Sequence, residues 1–345
     1  MRAARFAFCC WLGANVLALA LNPRLAQARP TSGDAAGAAP PEPVATTSPS
    51  AVADNDTETG DMPHQRVLRI ITRPIVDWFE PEPQASDLTL GNFLSYGWTE
   101  AWTEPHEGPD DAPRFRLLRI QRAFWERELR LTYSYAFDAD QGRADEQEGE
   151  FELEMPVSRR FLIEIEGGVT DLKPEGVSSR TRASDLKIIP EVMLAEDRDT
   201  SFSSGLLVRV PAGGKAAEQG RTSLAPYLAL WRGMGHRVGL HTYVGAEFPI
   251  DGFGPDAPIA VLQYAVAPAV TLTPKATPYF GNFTLFMEMN GESDLGRGDA
   301  RSRITLLPGT RWRVIRDVWV ATGYEFPVKG NEFTGRLWLS VYLDF

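Results

Sequence analysis

The second half of this chain alternates between apolar and polar residues along many short segments. Leu129, Leu131 and Tyr133 are separated by Arg130 and Thr132, and this period of two is typical of a half-buried β-strand rather than a helix. Twelve segments have the pattern, an even number that suits a closed antiparallel barrel. They cover residues 129–137, 151–155, 161–169, 186–194, 202–210, 224–231, 238–248, 259–272, 279–289, 304–314, 318–326 and 336–345.

The charged residues of these segments all fall on one parity, opposite to the large apolar residues. A charge that faces lipid at mid-depth costs roughly 2–4 kcal/mol for Arg or Lys. The segregation therefore predicts that the apolar face meets hydrocarbon and the charged face meets a lumen. The inward charges are Arg130, Glu152, Glu154, Glu164, Glu166, Lys187, Glu191, Arg209, Arg237, Glu247, Glu288, Arg311, Arg313, Glu325, Arg336 and Asp344.

A secreted β-sandwich would also alternate, with its apolar parity facing a protein core. Most segments here are longer than the usual ~5–6 residues of a strand and suit a tilted membrane strand of about 9–11. Short and long connections also alternate along the chain, as they do between the two ends of a membrane barrel. We therefore predict an all-β antiparallel transmembrane β-barrel of about 12 strands, or fourteen if residues 88–98 and 114–125 join the ring.

The start of the chain has the features of a secretory signal peptide over residues 1–28. Arg2 and Arg5 precede an apolar run over 6–21, and Ala26-Gln27-Ala28 is a small-residue cleavage site. The alternative is an anchoring helix, but the apolar run is short for a ~30 Å core.

Charge and cysteine content exclude several classes of function. The net charge is −11, which argues against a nucleic-acid partner. Cys9 and Cys10 are the only cysteines and lie in the predicted signal. The mature chain would therefore have no disulfide, no cysteine metal site and no cysteine nucleophile.

Between the signal and the barrel, two regions differ in composition. Residues 29–65 are rich in Pro and Ala with few large apolar residues, and we predict a disordered linker. Residues 66–128 are predicted to be a periplasmic or plug-like segment that could include the first barrel strands, with 66–84 as the candidate plug. Residues 129–345 are the predicted barrel, although Arg116, Arg119 and Arg122 interrupt the alternation just before it.

The last alternating segment ends on an aromatic residue, Phe345. In a bacterial outer-membrane barrel the final strand closes the ring and carries the assembly signal. We therefore predict the outer membrane of a Gram-negative bacterium, with membrane lipid and the barrel-assembly machinery, contacted through Phe345, as partners.

No catalytic constellation is present in the sequence. His236 and His241 have no serine convincingly placed beside them, so an outer-membrane hydrolase is the weakest alternative. The stretch that begins at Asp138 starts like a calcium loop, but Gly142 and Arg143 occupy positions that such a loop reserves for a ligand and a glycine. We predict no enzyme activity, no cofactor and no metal site.

The inward charges are the best functional candidates, and those that could line a pore form two groups. Glutamates on the predicted hairpin 151–169 would form an acidic wall, and arginines near the end of the chain a basic wall, which would screen solutes by charge. The alternative is a network of ion pairs that fills the lumen. The candidates are Arg130, Glu152, Glu154, Glu164, Glu166, Glu288, Arg311, Arg313, Glu325 and Arg336.

Four stretches of the sequence resemble a known group of proteins: 115–131 (FRLLRIQRAFWERELRL), 151–166 (FELEMPVSRRFLIEIE), 191–214 (EVMLAEDRDTSFSSGLLVRVPAGG) and 307–314 (LPGTRWRV). They are similar to bacterial outer-membrane transporters associated with meta-pathway phenol degradation. The resemblance covers roughly residues 90–345 and implies a barrel that passes small, hydrophobic or aromatic molecules. We predict a passive channel for small-molecule solutes; the alternative is a closed barrel with a structural or surface-binding role.

Overall fold

The computed structural model describes residues 87–105, 111–139, 144–174, 180–211, 222–250, 259–296, 302–330 and 333–345. The predicted signal peptide, linker and 66–84 plug lie outside this range. The described chain forms thirteen strands: β1 (Glu128–Asp138), β2 (Ala144–Pro156), β3 (Phe161–Pro174), β4 (Arg180–Ala183), β5 (Leu186–Asp197), β6 (Thr200–Val210), β7 (Ser223–Gly233), β8 (Val238–Pro249), β9 (Ala260–Thr271), β10 (Gly281–Leu295), β11 (Ser302–Ile315), β12 (Val318–Lys329) and β13 (Gly335–Asp344).

Twelve of these strands close into one antiparallel ring. Strand β1 pairs with both β2 and β13, β3 pairs with β2 and β5, and each later strand pairs with the next. The short β4 pairs with β3 only. Each of the twelve predicted segments corresponds to one strand of the ring, so the prediction of a twelve-stranded barrel is confirmed.

The fourteen-strand alternative is wrong, because residues 88–98 and 114–125 contain no strand. Leu88 makes a single isolated bridge to Glu196. Arginines at every third position of 114–125 are incompatible with a strand that must keep charge off one face.

The parity of the strands agrees with the predicted faces. Leu131 and Leu337 are 47% exposed on the outer face, whereas Arg130, on the other parity, is 8% exposed. In the described residues, no helix is long and apolar enough to cross a membrane.

Residues 111–127, which we call the lumen segment, run inside the ring. Its apolar side chains pack against inward-facing residues of strands on several sides of the barrel. Phe115, Leu117, Leu118 and Ile120 cluster with residues of β9–β13, and Phe124 clusters with residues of β5 and β7. Because the segment contacts strands that lie far apart around a closed ring, it must lie within the lumen.

Residues 87–105, which we call the rim segment, pack at the end of the barrel that carries the β2–β3 turn. Arg160 of that turn donates from Nη2 to Asn92 Oδ1 at 2.6 Å and from Nη1 to the Met193 carbonyl at 2.7 Å. Leu88 is buried with Trp125 and Leu162. The rim segment and the lumen segment therefore meet at this end.

Candidate functional site: the charged lumen

The acidic part of the lumen wall is a hairpin of β2 and β3. Glu152 lies directly opposite Glu166 in the register, and Glu154 lies opposite Glu164. All four face inward and are at most 9% exposed. Like charges opposite each other on neighbouring strands are destabilising, so this acidic hairpin needs cations close by.

Arg116 and Arg122 of the lumen segment provide those cations. Arg116 Nη1 lies 3.1 Å from Glu164 Oε2 and also contacts Glu152 and Glu154. Arg122 Nη2 lies 3.6 Å from Glu164 Oε2, and its Nη1 contacts Glu154. Burial alone lowers the pKa of Arg116, but the surrounding carboxylates outweigh that effect and raise it, so Arg116 stays charged.

Two barrel cations extend the network along the wall. Arg130 on β1 contacts Glu152, and Lys187 Nζ on β5 lies 2.7 Å from Glu166 Oε2. The four glutamates of the acidic hairpin therefore lie between cations on β1 and β5, and the arginines of the lumen segment contact them from inside the ring.

A second contact holds the lumen segment by its backbone. The carboxylate of Glu288 on β10 accepts hydrogen bonds from the N–H groups of Leu118, Arg119 and Ile120, at distances of 2.7 to 3.0 Å. The Arg119 side chain contacts Glu325 on β12. Charge-assisted hydrogen bonds of this kind are about twice as strong as neutral ones.

The side of the lumen formed by β11–β13 carries three aromatic side chains, Trp319, Trp338 and Tyr342. The guanidinium of Arg311 lies 5.0 Å from the ring centroid of Phe115, 4.3 Å from that of Trp319 and 4.8 Å from that of Tyr342. Such cation–π contacts stabilise this buried guanidinium together with its ion pair to Glu128.

Comparisons with known proteins support the fold. No protein-family model and no curated protein sequence matches the chain. An outer membrane channel from Pseudomonas putida F1 is similar in structure, with a TM-score of 0.51 and 11% identity over 70% of this chain and 100% of that one. The chain has an outer-membrane β-barrel fold. The NanC porin is also similar, with a TM-score of 0.46 and 10% identity over 63% of this chain and 98% of that one.

Within this outer-membrane barrel, nine of the ten residues predicted to line a pore are distributed over both sides of the lumen, and Arg313 lies beside the β9–β10 turn. Eight of them are buried: Arg130, Glu152, Glu154, Glu164, Glu166, Glu288, Arg311 and Glu325. Arg336 is half-buried and lies 2.8 Å from Glu146, and Arg313 donates to the Lys275 carbonyl. Their role as pore residues stays a prediction.

The predicted opposition of an acidic wall and a basic wall is not the arrangement found. The acidic hairpin is neutralised directly by Arg116 and Arg122, which come from the lumen segment, while Arg336 pairs with Glu146 of β2. Sequence reasoning missed Arg116, Arg119 and Arg122 as functional residues. The sequence did contain a signal for them: three arginines come just before strands whose inward-facing residues are rich in Glu.

In the described chain, the two histidines of the hydrolase alternative lie in surroundings that do not resemble a catalytic site. His241 is buried, with its ring 6.0 Å from those of Phe115 and Phe124, and its Nε2 has no hydrogen-bond partner there. His236 lies in the β7–β8 turn with a φ of 50°. Neither is part of a nucleophile–base pair.

Proposed function

We propose that the protein is a channel for small solutes in the outer membrane of a Gram-negative bacterium, and that the lumen segment sets its narrowest part. The observation that carries this proposal is that a non-strand segment, joined to the wall by ion pairs and hydrogen bonds, occupies the inside of a closed ring. Such a segment can shift without breaking any strand pairing, so one barrel could be open or closed.

The outer face supports the membrane location. Leu131, Val244 and Leu339 are more than 40% exposed on it, and apolar residues in such positions match the lipid-facing band of membrane barrels. The barrel that is similar in structure is named as a channel, which favours this function over an enzymatic one.

The class of solute follows from the two sides of the lumen. Passage of aromatic or hydrophobic molecules, which the sequence resemblance implies, is supported by the rings of Trp319, Trp338 and Tyr342 on the lumen side. The acidic hairpin on the other side is balanced by Arg116, Arg122, Arg130 and Lys187, so it gives no preference for cations. We therefore propose small hydrophobic or aromatic solutes.

Single-channel conductance tests the proposal. The chain without residues 1–28, which we propose to be a cleaved signal, is refolded and inserted into a planar bilayer. Glu288→Gln weakens the backbone contact of the lumen segment, and we expect it to increase the open probability several-fold over wild type. Glu292→Gln is the matched control, because it removes a β10 carboxylate that pairs with Arg303 and leaves the backbone contact of residues 118–120 in place.

A second candidate function is a closed barrel with a structural or surface-binding role. The dense burial of Arg116, Arg122 and Phe124, each at most 2% exposed, favours it. If wild type and Glu288→Gln are both silent while migrating as folded barrels on unheated gels, the channel proposal fails and this candidate replaces it.

Insertion by the barrel-assembly machinery is also proposed, with Phe345 as the contact. An in vitro assembly assay with purified machinery would test it: Phe345→Ala should slow insertion, and an unchanged rate would contradict the role.

A further inference from the structure

Four inward carboxylates lie at one level of the barrel on four adjacent strands. Glu164 on β3 is opposite Glu154 on β2, Glu154 is opposite Glu128 on β1, and Glu128 is opposite Asp344 on β13. We call this set the carboxylate row. Glu126, two residues before Glu128, brings a fifth carboxylate from the lumen segment. Consecutive like charges at one level are unfavourable, so a cation must offset them.

Close contacts with protein cations are concentrated at one end of the row. Arg116 and Arg122 contact Glu154 and Glu164. At the Glu128 end, the described cation within ion-pair distance is Arg311, whose Nη2 lies 3.8 Å from Glu128 Oε2. That distance is too long for a hydrogen bond, and Arg311 also stacks against three aromatic rings.

Several carboxylate oxygens at this end are buried without hydrogen bonds. They are Oε2 of Glu126, both oxygens of Glu128 and Oε2 of Glu154. Glu128 is fully buried. One oxygen from each of these three residues lies within 4.8 Å of the others. Burying unpaired carboxylate oxygens is strongly unfavourable, and a hard cation that takes several oxygen ligands would satisfy them together.

We propose that Glu126, Glu128 and Glu154 bind a divalent cation of the Ca²⁺ class at the end of the lumen that carries the β2–β3 turn. The cation would join the lumen segment, through Glu126, to the wall, through Glu128 and Glu154. This inference does not depend on whether the barrel conducts.

A tryptophan beside the proposed site would allow the binding of a luminescent ion to be measured. Trp319 Nε1 donates to Asp344 Oδ2 at 2.6 Å, and Asp344 is the neighbour of Glu128 in the row. Tb³⁺, which takes the same oxygen ligands as Ca²⁺, would therefore be sensitised by excitation of tryptophan when it is bound there.

The test is a Tb³⁺ titration of the refolded signal-free chain at pH 7.5, followed by displacement with Ca²⁺. We expect one saturable ion per chain, and displacement by Ca²⁺ at about 10⁻⁴–10⁻³ M, the range of extracellular calcium modules. Glu128→Gln and Glu126→Gln should each weaken binding at least tenfold. Glu292→Gln, on the inward parity of β10 and paired with Arg303, should bind as wild type does.

Three results would overturn the proposal. Wild type could show no saturable binding, which would mean that protons neutralise the carboxylates. Glu128→Gln and Glu126→Gln could both bind as wild type does, which would place the ions on the outer loops. Ca²⁺ could fail to displace Tb³⁺.

If the luminescence is weak, the unfolding temperature provides a second test. It is measured as the temperature at which the barrel changes from its folded to its unfolded migration on a gel. Ca²⁺ at 5 mM, a concentration chosen to exceed the expected dissociation constant of about 10⁻³ M or less, should raise the unfolding temperature of wild type. It should leave that of Glu128→Gln unchanged, because a ligand stabilises only a state that binds it. Equal shifts in both proteins would contradict the site.

Discussion

The two sides of the lumen hold the same segment in different ways. Toward β1–β3 the contacts are ionic, with Arg116 and Arg122 among the glutamates of the acidic hairpin. Toward β9–β13 they are mainly apolar, with Phe115, Leu117 and Leu118 packed in one core cluster, and Glu288 and Glu325 add two charged contacts. Ionic contacts in a lumen depend on partners and on protonation, whereas apolar contacts depend on fit.

The two sides therefore make different contributions: one positions the lumen segment and the other retains it in the barrel. A buried ion pair contributes little net stability compared with apolar residues of the same shape, yet losing one partner is costly. The ionic side therefore fixes which part of the segment faces the acidic hairpin, and the apolar side keeps the segment in the barrel.

Loss of Arg116 should have the largest effect of any single change in the lumen. Arg116→Met keeps the length of the side chain but leaves the acidic hairpin short of a cation, and we expect the free energy of unfolding to fall by about 3–5 kcal/mol. Urea unfolding in lipid vesicles, followed by tryptophan fluorescence, measures it. A loss below about 1 kcal/mol would show that the hairpin tolerates the missing charge by protonation.

A cavity on the apolar side should lower the free energy of unfolding by a similar amount, although the lower limit of the expected loss is smaller than for Arg116→Met. Leu117 is fully buried, and Leu117→Ala should lower the free energy of unfolding by about 2–5 kcal/mol. The loss should be the same at pH 5 and pH 8, because no titrating group is removed. A loss that changes with pH would mean that the two sides are coupled.

Removal of the backbone contact should come third. Glu288→Gln replaces an acceptor of three N–H groups by an amide that accepts through one oxygen only, and we expect a loss of about 1–3 kcal/mol. The same urea assay measures it. An unchanged stability would mean that the apolar packing alone positions residues 118–120.

A partly exposed ion pair between two wall strands, β10 and β11, should have the smallest effect and serves as the control for Arg116. Arg303 Nη1 lies 3.0 Å from Glu292 Oε2, with about a third of each side chain exposed. Arg303→Met should change the free energy of unfolding by less than about 1 kcal/mol. If it costs as much as Arg116→Met, then loss of charge anywhere in the barrel matters, and the comparison between the two sides fails.

The strands could be predicted because the environment of each strand determines the sequence pattern of that strand. Lipid on one face and lumen on the other produce a period of two, and the parity of Glu152, Glu288 and Arg311 follows from it. The interval between the predicted segments 129–137 and 151–155 was too long, since β2 begins at Ala144. The outward positions at the start of β2 are Asp145, Gln147 and Gly149, which lack the large apolar residues that mark a lipid-facing parity.

The lumen segment could not be predicted in the same way. It meets different neighbours on every side, so Arg116, Arg119 and Arg122 follow no strand period and were read only as an interruption. The carboxylate row is also invisible to local patterns, because Glu128, Glu154 and Asp344 come together only through the register of three strands. The prediction of no metal site rested on motifs within single loops and did not consider such a row.

The hydrogen bonds between Glu288 and the lumen segment come from main-chain N–H groups of residues 118–120. A carboxylate that binds the main chain places no requirement on the side chains attached to it. The requirement at position 119 comes from Glu325, whose buried carboxylate would lose its cation if Arg119 were replaced by a neutral residue. The segment and the ring are therefore expected to change together at positions 119 and 325, while the backbone contact keeps the segment in register.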